Sequence, residues 1–160
     1  MKNYLVRGLL ILCLFAGIGG AQASAQIDSD ETIVADIPYD FVVRDQTLPA
    51  GKYTIKVSDD KDLSVLVLRS ANGRRSALFQ TQDIQANQTP RKTELVFDKV
   101  GDAYFLSQIW LSGSDQGVEL EKSKAEQKLV DGGMKSERQS IAAIHRSSKK
   151  AKKAEARDQR

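Results

Sequence analysis

The stretch Thr47-Leu-Pro-Ala-Gly-Lys-Tyr-Thr-Ile-Lys-Val57 decides how the rest of the chain is read. Pro49 suits the second position of a type I turn and Gly51 the fourth. Directly after them Tyr53, Ile55 and Val57 alternate with Thr54 and Lys56, the period of a half-buried strand. A tyrosine opening a strand can send its hydroxyl back to backbone a few residues upstream and so fix a corner between strands. Pro49, Gly51 and Tyr53 therefore read as a structural corner that shapes a sheet, in preference to a loop that binds something.

Outward from this corner, residues 32–111 break into short strand-like runs. "TIVADI", "FVV", "KYTIKV", "LSVLVLR", "SALFQTQ", "TELVFD" and "AYFLSQIWL" make about seven strands at about ten-residue spacing, the pattern of a sandwich or barrel. "LSVLVLR" is apolar on both faces and reads as a central strand covered on both sides. "AYFLSQIWL" by strict alternation places Tyr104, Leu106 and Trp110 on one face, and Phe105, Ile109 and Leu111 on the other. Asn72-Gly73 is a strong hairpin signal because both residues tolerate positive φ. Gly101-Asp102 reads as a second hairpin and "SDDKD" (58–62) as a third. The polar run 81–92 is the longest connection. The corner also resembles the Leu-x-Pro-Gly…Tyr corner of fibronectin-type sandwich domains. The fold expected is mainly β: an antiparallel sandwich or barrel-like domain over residues 30–113, with a C-terminal helix and a basic tail.

The two ends differ from this body. Lys2 and Arg7 precede an apolar run from Gly8 to Gly20, too short to span a bilayer. Small residues follow, and Ala23-Ser24-Ala25 has the form of a signal-peptidase site. Residues 1–25 therefore read as a signal peptide, which makes the protein secreted or periplasmic. Cys13, the single cysteine, leaves with the leader, so the mature chain of about 135 residues has no disulfide and must hold together by its core. Beyond the linker "SGSDQG" (112–117), "VELEKSKAEQKLV" is rich in helix formers, and residues 117–130 read as a helix. Asp131-Gly132-Gly133 ends it. Residues 131–160 read as a basic and largely disordered tail, in which Ile141 and Ile144 allow at most a marginal helix. From Lys122 onward there are twelve Lys/Arg and five Asp/Glu, a net of +7. The whole chain is +3, and two cations lie in the leader, so residues 26–121 carry −6.

Few residues offer chemistry. His145 is the single histidine and reads as a solvated tail residue. Asp59, Asp60 and Asp62 lack the glycine and terminal glutamate of a calcium loop. Asp36, Asp40 and Asp45 show no sign of facing each other across a cleft, as paired hydrolytic carboxylates must. No nucleophile elbow or phosphate-cradling glycine loop occurs, so no catalytic, metal-ligating or cofactor-binding residue is assigned. Tyr104, Phe105 and Trp110 offer an aromatic platform for sugar or peptide, but aromatic residues in a strand are more often core. Lys149, Lys150, Lys152 and Lys153 are suited to contact anionic envelope components, in a salt-sensitive way and without reading nucleic-acid sequence.

Four motifs together resemble a family of small secreted bacterial proteins found especially among acidobacteria: "IPYDF" (37–41), "LPAGKYT" (48–54), "YFLSQIW" (104–110) and "ELEKSKAE" (119–126). Tyr39 stands where that family commonly has Phe. The basic extension after Asp131 looks like an addition. The resemblance implies export and a fold, and no catalytic residue. Function is accordingly expected to be non-catalytic: an envelope binding or structural module. The alternatives are an adhesin docking its basic tail on anionic polymer, and a small carbohydrate-binding or hydrolytic protein. The last of these needs a concave site with an exposed aromatic residue.

Overall fold

The structure, a computed structural model, describes Ile27, residues 31–59 and residues 62–147. The expected leader (residues 1–25) and the lysines at 149, 150, 152 and 153 lie outside the described residues. Ten strands and one helix follow one another: β1 (Glu31–Ile37), β2 (Phe41–Val43), β3 (Gln46–Leu48), β4 (Gly51–Asp59), β5 (Asp62–Ser70), β6 (Ser76–Gln85), β7 (Glu94–Val100), β8 (Ala103–Trp110), β9 (Gln116–Leu120), α1 (Lys124–Asp131) and β10 (Ser136–Ser147). No helix among the described residues is long and apolar enough to cross a membrane.

Eight of the strands close a barrel in the order β8-β7-β10-β1-β4-β5-β6-β9, with β9 returning to β8, and every ladder in it is antiparallel. Closure gives every barrel strand two neighbours and so limits the free edge that would otherwise template aggregation; β10 divides its length between β7 and β1, and β6 between β5 and β9. β8 shares its outer edge. Its second half pairs with β9 through Gln108, Ile109 and Trp110, while Phe105 in its first half faces Val42 of β2 in a parallel pairing, the one such among the described residues. β2 and β3 form a small hairpin turned by Arg44 and Asp45, with Arg44 at φ 55°.

The barrel interior is filled by side chains, as is usual for eight strands. Ile33 and Ile37 of β1, Tyr53 and Ile55 of β4, Leu66 and Leu68 of β5, Phe79 of β6, Leu95 and Phe97 of β7, and Ile109 of β8 are all essentially inaccessible. Ile27 joins this core ahead of the first strand. Each such side chain contributes roughly 1.5–3 kcal/mol by leaving water, which is how a chain with a single cysteine, and so no internal disulfide, stays folded. Phe41 reaches inside and meets Tyr53 and Phe97 edge-on at 5.2 and 5.7 Å. The corner sits beside it. Tyr53 Oη donates to the Pro49 carbonyl at 2.7 Å, and the Ala50 amide donates to Asp40 Oδ1 at 2.9 Å. Gly51 has φ 149°, a backbone conformation closed to most side chains.

Three strands go beyond the seven read from the sequence, and two of them replace other structure. Val118 and Leu120 alternate into the core as part of β9, so the helix expected over 117–130 begins only at Lys124. Tertiary pairing with β6 and β8 overrides local helix propensity there. Ser123 sets the true start, its hydroxyl accepting from the Glu126 amide at 3.1 Å. The Gly132 amide closes the far end on the Lys128 carbonyl at 3.1 Å. The larger correction concerns the tail expected over 131–160. Residues 136–147 are strand β10, inserted between β7 and β1, and neither disordered nor helical. Gln139, Ser140 and Arg138 give this segment a polar composition, but residues 136–142 pair with β7 and residues 143–147 with β1, and Ile141 and Ala143 pack against the core. His145 is likewise no solvated tail residue. It shares the inward row of Ile33 and Ile55, with Nε2 3.3 Å from Glu31 Oε1. β5 also departs from expectation. Val65 and Val67 point outward, half-buried, and no second layer of described residues covers them; neighbouring Leu78 is 60% exposed.

Candidate functional site

One extra residue creates the candidate site. Opposite β7, Phe97 pairs with Leu106 and Val96 pairs with Gln108, leaving Ser107 as a bulge. A bulge reverses which face the following residues occupy. Leu106 and Ile109 both point inward as a result, and Trp110 points outward. Strict alternation, which grouped Trp110 with Leu106, fails at this position.

The residues that share the outer face with Trp110 follow from register. One row crosses five strands as Ala142, Glu94, Trp110, Gly117 and Ile84. The next row is Ser140, Val96, Gln108, Glu119 and Gln82. The connection after β6 rises beside this wall, and its tip together with the wall encloses an open groove of about 860 Å³. Ile84, Gln88, Arg91, Glu94, Trp110 and Arg138 are among its lining residues. The sequence marked 81–92 as one long polar connection; Thr81–Gln85 are in fact strand, and the connection proper begins at Ala86.

The groove is held firmly. Trp110 Nε1 donates to Gln108 Oε1 at 3.1 Å, and Gln108 Nε2 donates to Glu119 Oε1 at 3.2 Å. The indole rests on Gly117 of the neighbouring strand. A Cβ there would lie 2.7 Å from Trp110 Cδ2 and closer still to Cε3, so glycine is required for the ring to sit where it does. The flanking connection is tied at both ends to residues 111–116. The Ala86 amide donates to the Asp115 carbonyl at 2.7 Å, Gly113 N to Pro90 O at 3.0 Å, and Ser112 Oγ to Arg91 O at 3.0 Å. Trp110 is therefore a half-buried ring fixed on a built wall.

Beyond one end of the groove lies a cluster of charge. Arg138 Nε is 4.0 Å from Asp98 Oδ1, and Lys122 Nζ is 3.8 Å from Asp98 Oδ2 and 3.0 Å from Glu126 Oε1. Glu126, on the face of α1 turned to β7, is only 3% exposed. Burial pushes its carboxyl above the usual range; Lys122 pulls it back, and nearby Asp98 adds to the rise. Lys122 is raised chiefly by its hydrogen bond to Glu126. At the barrel end near Phe97, Tyr39 and Tyr104 stack at 3.7 Å, with Lys99 5.5 Å from the Tyr104 ring centroid. Burial, then Tyr104, pushes the Tyr39 phenol up to about 12.

The residues singled out in the sequence scatter. Pro49, Gly51 and Tyr53 meet at the corner, where Tyr53 is fully buried. Asp40 is committed to the Ala50 amide, and Asp62 Oδ1 accepts from Ser64 at the start of β5. Of the aromatic trio, Tyr104 packs on the core, Phe105 is buried on the outer face, and Trp110 alone lines the groove. Glu94, Gln108, Arg138 and Gly117 were missed, because nothing local marks residues that meet through five-strand register. Among the described residues no group of three or more His, Cys, Asp or Glu side chains is placed to hold a metal ion. Compared with known proteins, the chain matches no family model, no curated protein and no solved structure.

Proposed function

We propose that this protein is an exported, non-catalytic binding module of the bacterial envelope, and that the Trp110 groove is its working surface. The observation that carries this reading is the fixed outward indole. A bulge turns it out of the core, a glycine makes room for it, and a hydrogen-bonded pair of side chains holds it in a groove of about 860 Å³. Barrel packing alone has no use for such a ring, whereas binding sites favour a few fixed polar groups around an aromatic surface. Export is supported by the leader pattern, and a cut after Ala25 leaves the core residue Ile27 in the mature chain.

The test is expression with the native leader in a bacterial host. Mass spectrometry of the exported protein should give a mature chain beginning at Gln26. That protein should sediment with isolated envelopes, and a folded Trp110→Ala variant should sediment less. Retention equal in the two proteins would reject the groove as the working surface. A chain ending at Ser147 isolates the contribution of Lys149, Lys150, Lys152 and Lys153. Ending it at Asp131 would instead remove a barrel strand.

A further inference from the structure

Resting on that reading, we infer that the Trp110 groove takes a neutral, hydroxyl-rich glycan chain, with one sugar ring stacked on the indole. A pyranose has an apolar CH face and a rim of paired hydroxyls. The first needs a fixed aromatic surface; the second needs planar groups that bond two neighbouring hydroxyls at once. The groove supplies both. Trp110 is held by Gln108 and Gly117, so little side-chain freedom is lost on stacking. Around it stand a carboxylate (Glu94), a carboxamide (Gln88) and guanidiniums (Arg91 and Arg138), each able to present two donor or acceptor positions, while the Gln108 amide is occupied in holding the ring.

Other ligand classes fit less well. A polyanion would meet only Arg91 and Arg138 as cations here, with Glu94 in the same groove and Asp98 4.0 Å from Arg138. A peptide adding as a strand needs a free ladder edge, and none is open at the ring: Trp110 lies mid-wall on β8, paired to Glu94 of β7 on one side and Gly117 of β9 on the other. A lipid or other apolar ligand would find mainly polar side chains in the lining, with Ile84, Ala86, Pro90, Val96 and the Trp110 ring as exceptions. A neutral glycan is what remains compatible with the balanced charge, the amides and the single ring.

The chain contains one tryptophan, so its fluorescence reports on this groove alone. The mature protein, with its full C-terminus, is titrated with maltohexaose, cellohexaose and chitohexaose, in parallel with calorimetry. At least one should shift the emission saturably and release heat. Trp110→Ala should weaken that heat-detected binding by about tenfold or more, on the order of one lost stacking contact. Glu94→Gln keeps the reporter and should weaken binding with unchanged far-ultraviolet dichroism, so the test survives if Trp110→Ala does not fold. Lack of saturable response to all three sugars overturns the inference, as does a response to polyphosphate or an acidic peptide with none to sugars. Envelope retention that depends on Trp110 without sugar binding removes only the glycan assignment. Retention that ignores Trp110 removes the binding-surface reading beneath it.

Discussion

Tyr53 shows how a single residue can serve both packing and backbone. Its ring is buried against Phe41, and its hydroxyl ties the strand start to Pro49. Tyr53→Phe keeps the ring and loses the bond, so thermal unfolding should show a loss of about 1 kcal/mol with the fold unchanged. Gly117 is the converse case, where absence of a side chain matters. Gly117→Ala should push the indole off its shelf, and Trp110 emission should move to longer wavelength as the ring becomes more hydrated. Glu126 contributes a pH dependence. Its carboxyl is raised in the folded protein, so its contribution is fully present below the ordinary carboxyl pKa and is lost as pH rises through the raised value. Lys122, also raised, stays protonated across that window. Stability measured from mildly acidic to neutral pH should therefore fall through this term, and Glu126→Gln should flatten that slope.

Elements were legible in the sequence where their own residues decide them. The alternating runs of β1 and β4 stand where the period places them, and the hairpin turn at Asn72-Gly73 joins β5 to β6. The end of α1 at Asp131 follows from two glycines, whereas its start, expected at 117, is set by the Ser123 cap after β9. Ser123→Ala should lower stability by about 1 kcal/mol, read from thermal melts. Two elements were not legible, for one reason. β9 has the composition of a helix and β10 that of a solvated tail, yet each lies between two strands that leave a gap one strand wide. Filling that gap satisfies a backbone whose amides and carbonyls would otherwise have to be left to water. Ser107 is a third case. Its extra residue is silent in composition, yet it reverses the side on which Trp110 emerges.

At the level of the whole molecule, closure makes the C-terminal segment part of the core. Truncation after Asp131 should open the barrel between β7 and β1, and the amide spectrum should collapse toward that of an unfolded chain. Truncation after Ser147 should leave spectrum and melting midpoint essentially unchanged. A matching loss of fold in both would contradict the topology described. The same closure builds the groove, because its floor spans β10, β7, β8, β9 and β6 and exists only when all five are in register.

The sequence by itself determined the β character of the chain, its proline-glycine-tyrosine corner, its hairpin turns and the scarcity of reactive groups. Those features rest on local backbone preference and on period, which neighbours in the chain are enough to express. Only the tertiary structure decided that the sheet closes, that the polar C-terminal segment is a strand, and that Trp110 faces a groove with Glu94, Gln108 and Arg138. Those outcomes depend on pairing between residues far apart in sequence, where the gain from satisfying two open edges outweighs what any one segment prefers alone.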